Sequence, residues 1–185
     1  MMDFEEIEHE LVAATRGMMD GTLSTLGVVI GATGAPPEVI IAAGISGGLA
    51  NSFSNIFAAF TSYETELMID INTLKEAMLR KDMENTEVYQ EGKQEVNKQS
   101  LADGIATAFG ALVPVLPYFF FPSHLSVFIA VLLTSILGLF VGIVMGSISR
   151  RSLIKSGLKM AISAIIVGII SALVQSGLSS VLPKS

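Results

Sequence analysis

The chain of 185 residues has no cysteine, no tryptophan and only two histidines. Lack of cysteine excludes disulfides, thiolate metal sites and a cysteine nucleophile. Charge is scarce too: Asp, Glu, Lys and Arg make up 15% of the chain, against about 25% in soluble domains. The net charge of −6 supplies no basic face for nucleic acid. There is no glycine-rich phosphate loop, no paired-histidine motif and no nucleophile–base pair. The polar segments are too short for an independent catalytic domain. An enzyme is therefore not expected, nor a permanent cofactor. Neither end reads as a cleavable targeting segment, because the start is acidic (Glu5, Glu6, Glu8, Glu10) where a signal peptide is basic.

What is present is apolar. Hydrophobic residues make up 51% of the chain, and the polar ones cluster into 1–16, 62–100 and 147–159. The intervening runs are long enough to cross a hydrocarbon core of about 30 Å, which takes about 20 helical residues. Five spans are predicted, at 18–35, 38–61, 101–121, 124–146 and 155–180. The expected fold is all-α: a polytopic membrane protein with five transmembrane helices and a short cytosolic helical insert between the second and third. The chain divides into an N-terminal amphipathic helix (1–17), helices 1 and 2 (18–61), an acidic insert (62–100) and helices 3 to 5 (101–185).

Basic residues set orientation. With the N-terminus in the cytosol, ten of the eleven Lys and Arg fall inside: Arg16, Lys75, Arg80, Lys81, Lys93, Lys98, Arg150, Arg151, Lys155 and Lys159. Only Lys184 falls outside. The reading is an integral protein of the cell membrane with its N-terminus in and its C-terminus out. His9 and His124 then lie on opposite sides and cannot share a site.

One acidic residue stands where lipid should be. Asp20 opens a stretch, Met18 to Pro37, that is otherwise uncharged, and the run Asp20-Gly21-Thr22-Leu23-Ser24 is echoed 83 positions later by Asp103-Gly104-Ile105-Ala106-Thr107. A carboxylate in a spanning helix is costly and usually faces a bundle interior, where it marks an ion or proton path. Two at matching places suggest a transporter. Asp103, near the end of the insert, also has a plainer reading as the N-cap of the third helix.

Other features each have two readings. Phe4, Ile7 and Leu11 share a helical face, and Asp3 with Glu6 has capping-box spacing, so 3–16 either packs beneath the bundle or tethers it. In the second span Asn51 and Asn55 are one turn apart, as ion ligands or as amides bonding across helices. Pro114 and Pro117 free backbone carbonyls that need protein, water or an ion as partner, or make a kink that is only architectural. Gly138, Gly142 and Gly146 form a doubled GxxxG, for packing within a protomer or across a dimer. In the insert Leu67, Ile71, Leu74 and Met78 recur at helical spacing, so the second span continues as an amphipathic helix. A second insert helix is expected over 82–99, with Glu84, Glu87, Glu91 and Glu95 on one side. These four are a cation site or a solvated face.

The segment Asp20-Gly21, Ser24-Thr25, Gly27-Val28-Val29-Ile30-Gly31 resembles the first-helix signature of the vacuolar iron transporter family. The glycine-rich second helix through Ser54, the run Gly110-Ala111-Leu112-Val113-Pro114, the five spans and the acidic insert agree with it. The resemblance implies a homodimer that moves Fe²⁺, and often Mn²⁺, out of the cytosol in exchange for protons, with Asp20 lining a pathway between protomers. It also implies a cytosolic metal site of ExxE pairs with nearby methionine: Glu84 and Glu87 with Met83, Glu64 with Met68, and Glu66 with Asp70. Two positions depart from the family pattern. Asn55 stands where Met is common, and Ala58-Ala59-Phe60 replaces a Gly-Glu-Tyr run.

The resulting expectation is a divalent-metal transporter. The insert glutamates (with Glu64 and Met68) would collect the ion, and Asp20, Asn51, Asn55 and Asp103 would form the path. Carboxylate oxygens suit Fe²⁺ and Mn²⁺ without the grip of thiolates, and protons compete for the same oxygens. The expected partners are a second copy, membrane lipid and divalent metal ions, with no nucleic acid. The rivals are a carrier of another solute and a non-transporting membrane sensor or scaffold whose insert binds a cation or a partner.

Overall fold

The computed structural model describes residues 4–79 and 82–181. They form α1 (Phe4–Gly31), α2 (Pro37–Met78), α3 (Glu87–Val115), a 3₁₀ turn (Leu116–Phe119), α4 (Ser123–Ile148) and α5 (Leu153–Val181). There is no strand among the described residues, so the all-α expectation holds. Asp3, Arg80, Lys81 and Lys184 lie outside the described residues, and with Asp3 goes the capping box.

Prolines and caps set the helix ends. Pro37 occupies the first turn of α2 and Pro122 precedes α4, where a fixed φ suits the helix and the missing N–H is no loss. The α1–α2 turn passes through Gly34 at φ +107°, a conformation open to glycine at little cost. Thr86 caps α3, its hydroxyl accepting from the Tyr89 N–H. The third span is not one α-helix to 121: α3 ends at Val115 and a 3₁₀ turn, Leu116–Phe119, with Pro117 in its first positions, continues it.

The helices alternate in direction. The α1–α2 turn, the 3₁₀ turn and the end of α5 meet at one end, where Gln175 donates to the Thr33 carbonyl at 3.0 Å. The start of α1, the α2–α3 connection and the α4–α5 turn lie at the other, where Thr15 contacts Met145 Sδ and His9 contacts Glu95. All Lys and Arg among the described residues lie toward this second end.

The insert is not a separate unit. Helix α2 runs unbroken for 42 residues, about 63 Å at 1.5 Å per residue, so its C-terminal half projects beyond any bilayer core. The start of α3 packs back along it, burying Ile71, Met83 and Val96. Of the predicted amphipathic face only Ile71 is fully covered; Leu74 and Met78 are exposed. The second insert helix begins at Glu87 rather than 82 and continues into the third span. Glu84 sits in the preceding turn, its N–H donating to Asp82, so the four-glutamate stripe loses its first member.

At the N-terminus no break separates an amphipathic segment from the first span. Ile7 and Leu11 are exposed, and Ala13, Thr15 and Gly17 are covered instead. From Ala13 onward small residues let α1 lie close to its neighbours. It touches all four other helices. The apolar core forms around its end: Leu26, Val29 and Ile30 against Ile40, Val115, Tyr118 and Ala130.

Among the described residues four helices are long and apolar enough to cross a membrane: α2, α3 with its 3₁₀ turn, α4 and α5. Helix α1 is not among them, because Arg16, Asp20 and its Ser, Thr and Gly residues dilute its apolarity. A helix flanked by other helices needs less lipid-facing surface. The doubled glycine motif on α4 works within the protomer. A Cβ at Gly142 would meet the α5 backbone at Ser156 and Gly157, and Gly138 abuts Met160.

Candidate functional site

Close approach of α1 and α3 builds the site. A Cβ at Gly17 would overlap the Asp103 carbonyl, and one at Gly21 the Thr107 carbonyl. Glycine at both positions lets the backbones touch, as at small-residue interfaces in membranes. Helix α2 closes the third side, with Gly48 against Ala111 and the Ser52 hydroxyl donating to the Gly104 carbonyl at 2.6 Å.

The carbonyl freed by Pro114 has a partner within the protein. Pro114 has no N–H, which frees the Gly110 carbonyl one turn earlier. Thr22 Oγ1 stands 3.0 Å from that carbonyl and 2.6 Å from Met18 O. The single hydroxyl proton of Thr22 is thus shared between its own helix and the carbonyl that Pro114 frees.

Asp20, Asn51 and Asn55 come together. Asn51 Nδ2 donates to Asp20 Oδ2 at 2.8 Å and to Ser24 Oγ at 2.9 Å. Asn55 Nδ2 donates to the same carboxylate oxygen at 3.0 Å and to Thr107 Oγ1 at 2.9 Å. Both amides thus bond across helices and hold a carboxylate. No donor among the described residues reaches Asp20 Oδ1. The carboxylate is exposed at the wall of a cleft of about 390 Å³, lined also by Arg16, Asn55, Ala58, Ala59 and Ser62.

Asp103 does not join them. It lies well inside α3, sixteen residues past the helix start at Glu87, so it is no N-cap. It is 1% exposed and ion-pairs with Arg16 through Oδ2, while its Oδ1 has no hydrogen-bond partner. The Arg16 guanidinium carbon stands 5.5 Å from the centre of the Tyr63 ring, a cation–π distance. Asp103 therefore stands behind the cleft, not on its wall.

The insert acids are spread out. Among the described residues no three His, Asp or Glu side chains converge to hold a metal ion. Glu64, Glu84, Glu87 and Glu91 are exposed and Met68 is half-buried. Glu95 instead accepts from or pairs with His9 Nδ1 at 2.6 Å. A second cleft, of about 330 Å³, opens there between the projecting ends of α1, α2 and α3, with His9, Tyr63, Glu66, Asp70 and Glu95 on its walls.

Arg16, Ser24 and Thr107 are site residues that sequence reasoning passed over. A signal existed for the hydroxyls. Ser24 and Thr107 each follow an Asp-Gly aspartate by four residues, and each binds one of the two asparagines. The local signal at Arg16, its i,i+4 spacing from Asp20, points to a different partner from the one it takes, Asp103.

A family model described as the VIT family matches residues 11–89 and 64–177. An uncharacterized protein of Methanocaldococcus jannaschii is 37% identical over 163 residues, covering 86% of this chain and 85% of its own length.

Proposed function

The chain belongs to the VIT family, a family of membrane ion transporters, and from that premise we propose that it moves a divalent metal ion, Fe²⁺ or Mn²⁺, out of the cytosol by proton antiport. One observation carries the reading. Asp20 is an exposed carboxylate at a cleft wall, held by two neutral amides on a single oxygen. A carboxylate so placed has charge to offer a cation. Oxygen ligands bind Fe²⁺ and Mn²⁺ weakly enough to release them, and a proton on the same oxygen removes the ligand. Metal entering from one side and protons from the other then exchange at one group.

In this reading α1 is a fifth span at the centre of the bundle, and a second copy covers the stripe Arg16, Asp20, Ser24 and Val28, all exposed in the single chain. A charged group is not left against lipid when a partner can face it. The basic end lies in the cytosol by the positive-inside rule, in the cell membrane, and the projecting α2–α3 hairpin gathers the ion. Glu64, Met68, Glu84, Glu87, Glu91 and Glu95 are its candidate ligands. Because they do not converge in one chain, their site requires side-chain rearrangement or the second copy.

The test is reconstitution in liposomes holding a divalent-metal dye, with an imposed pH gradient, for the wild type and Asp20→Asn. Flux that follows the gradient and disappears in the variant supports the antiporter. Flux of no divalent metal by a folded wild type would favour a sensor, a scaffold or another solute.

A further inference from the structure

Arg16 and Asp20 are one turn apart on α1 and lie on the same exposed stripe. Side chains so spaced are neighbours on a helix surface and readily form an ion pair. Here they do not. The guanidinium turns toward α3, pairs with Asp103 and lies over the Tyr63 ring. Asp103 is 1% exposed and the α1 backbone at Gly17 presses on it, so water cannot readily stand in for Arg16. Removing one partner of a buried pair strands the other charge and is strongly unfavourable. Asp20 is exposed and has two amide donors instead. Arg16 therefore goes to the carboxylate that needs it more.

We propose that Asp103 is a positioning residue that holds Arg16 off Asp20 and so keeps the Asp20 carboxylate open to an incoming cation. Three charged groups meet here, two carboxylates and one guanidinium, and their sum is one negative charge. The Arg16–Asp103 pair places that charge on Asp20, at the cleft wall. Neutralise Asp103 and Arg16 has Asp20 as its nearest carboxylate on α1. The path would then be closed by an internal ion pair. The identity of the cation rests on the function proposed above; the competition of two aspartates for Arg16 does not.

The test reads Asp20 without relying on transport. Dicyclohexylcarbodiimide is apolar and modifies protonated carboxyl groups, and mass spectrometry of the full-length protein in liposomes gives the rate at Asp20. An arginine paired with a carboxylate occupies its oxygens with charge-assisted hydrogen bonds and keeps the reagent from them. Asp103→Asn should therefore slow modification of Asp20 by about twofold or more. The double variant Arg16→Gln/Asp103→Asn should restore the rate, which a merely structural role for Asp103 would not predict. An unchanged rate in the single variant, or no recovery in the double, overturns the proposal. Should Asp103→Asn not fold, the double variant compared with the wild type decides. Equal rates mean that Arg16 stands off Asp20 in the wild type, as the Asp103 pair requires, and a clearly faster double variant means that Arg16 already pairs with Asp20 and overturns the proposal. Mn²⁺ added to the wild type gives a separate reading. Slowing and rescue without Mn²⁺ protection would keep the role of Asp103 and remove support for the metal cargo.

Discussion

The amide nitrogen of Asn55 donates at once to Asp20 on α1, at 3.0 Å, and to Thr107 on α3, at 2.9 Å. One side chain of α2 thereby ties together the two helices that carry the echoed Asp-Gly runs. Asn51, one turn away, bonds twice to α1 alone, to Asp20 and Ser24.

Replacing Asn55 by Leu removes both bonds. Interhelical hydrogen bonds in membranes average about 0.6 kcal/mol and reach about 1.7, so a loss of about 1 to 2 kcal/mol is expected. Thermal unfolding in detergent reads the stability. Metal flux in liposomes should fall as well, because Asp20 loses one of the two donors that orient it.

Asp20→Asn keeps the volume of the side chain and removes its charge. Gradient-driven metal flux should vanish while unfolding temperature and size-exclusion profile stay close to wild type. A variant transporting at the wild-type rate would place the ion path elsewhere.

Metal affinity should fall as pH falls. Cation and proton compete for carboxylate oxygen, so protonation below the carboxylate range removes the ligand. The sign is fixed: Mn²⁺ binding measured in detergent should be tighter at neutral pH than in acid, and Asp20→Asn should flatten the dependence.

Gly21→Val tests the contact of α1 with α3. The new side chain meets the Thr107 backbone, which cannot withdraw as a flexible side-chain tip can. Overpacking of this kind costs about 1–3 kcal/mol, occasionally more. Loss of the monodisperse species by size exclusion is the expected result. Gly31→Val should be tolerated, since nothing lies near a Cβ there.

Thr22 and Pro114 should be coupled. Thr22→Val leaves the Gly110 carbonyl without its hydroxyl partner, an unsatisfied buried group worth about 1–3 kcal/mol. In a Pro114→Ala background the restored N–H can serve that carbonyl, so the same substitution should cost less. A double-mutant cycle of unfolding free energies measures the difference. Equal costs in both backgrounds would mean that the hydroxyl does not serve the carbonyl that proline frees.

Much of this architecture is written locally. Long apolar runs give the helices of the bundle, because a segment of that length and composition hides its backbone only by closing its own hydrogen bonds. The prolines at 37 and 122 and the glycine at 34 mark where helices stop and start. Asp20, Asn51 and Asn55 were legible as a site, since polar groups stand out against an apolar background. The doubled glycine motif of α4 was legible as a packing face, but its partner, α5, was not. Periodicity places Phe4, Ile7 and Leu11 on one face, to pack beneath the bundle or to tether it. Ile7 and Leu11 are exposed, and contact with the bundle covers Ala13, Thr15 and Gly17, because close helix approach favours small residues over large apolar ones.

The difference between the two aspartates belongs to tertiary structure alone. Asp20-Gly21 and Asp103-Gly104 are the same local message, and each has a hydroxyl residue one turn on. Folding buries one carboxylate and exposes the other, because Asp103 lies under the close contact of α3 with Gly17 of α1 while Asp20 lies at the edge of α1 beside α2, on a cleft wall. The buried one claims Arg16, and the exposed one receives two amides and keeps its charge. Sequence by itself determined that the chain is a helical membrane protein with carboxylates inside its apolar runs. Which carboxylate is neutralised and which is free depends on helices brought together from positions more than eighty residues apart, and local spacing carries no record of that.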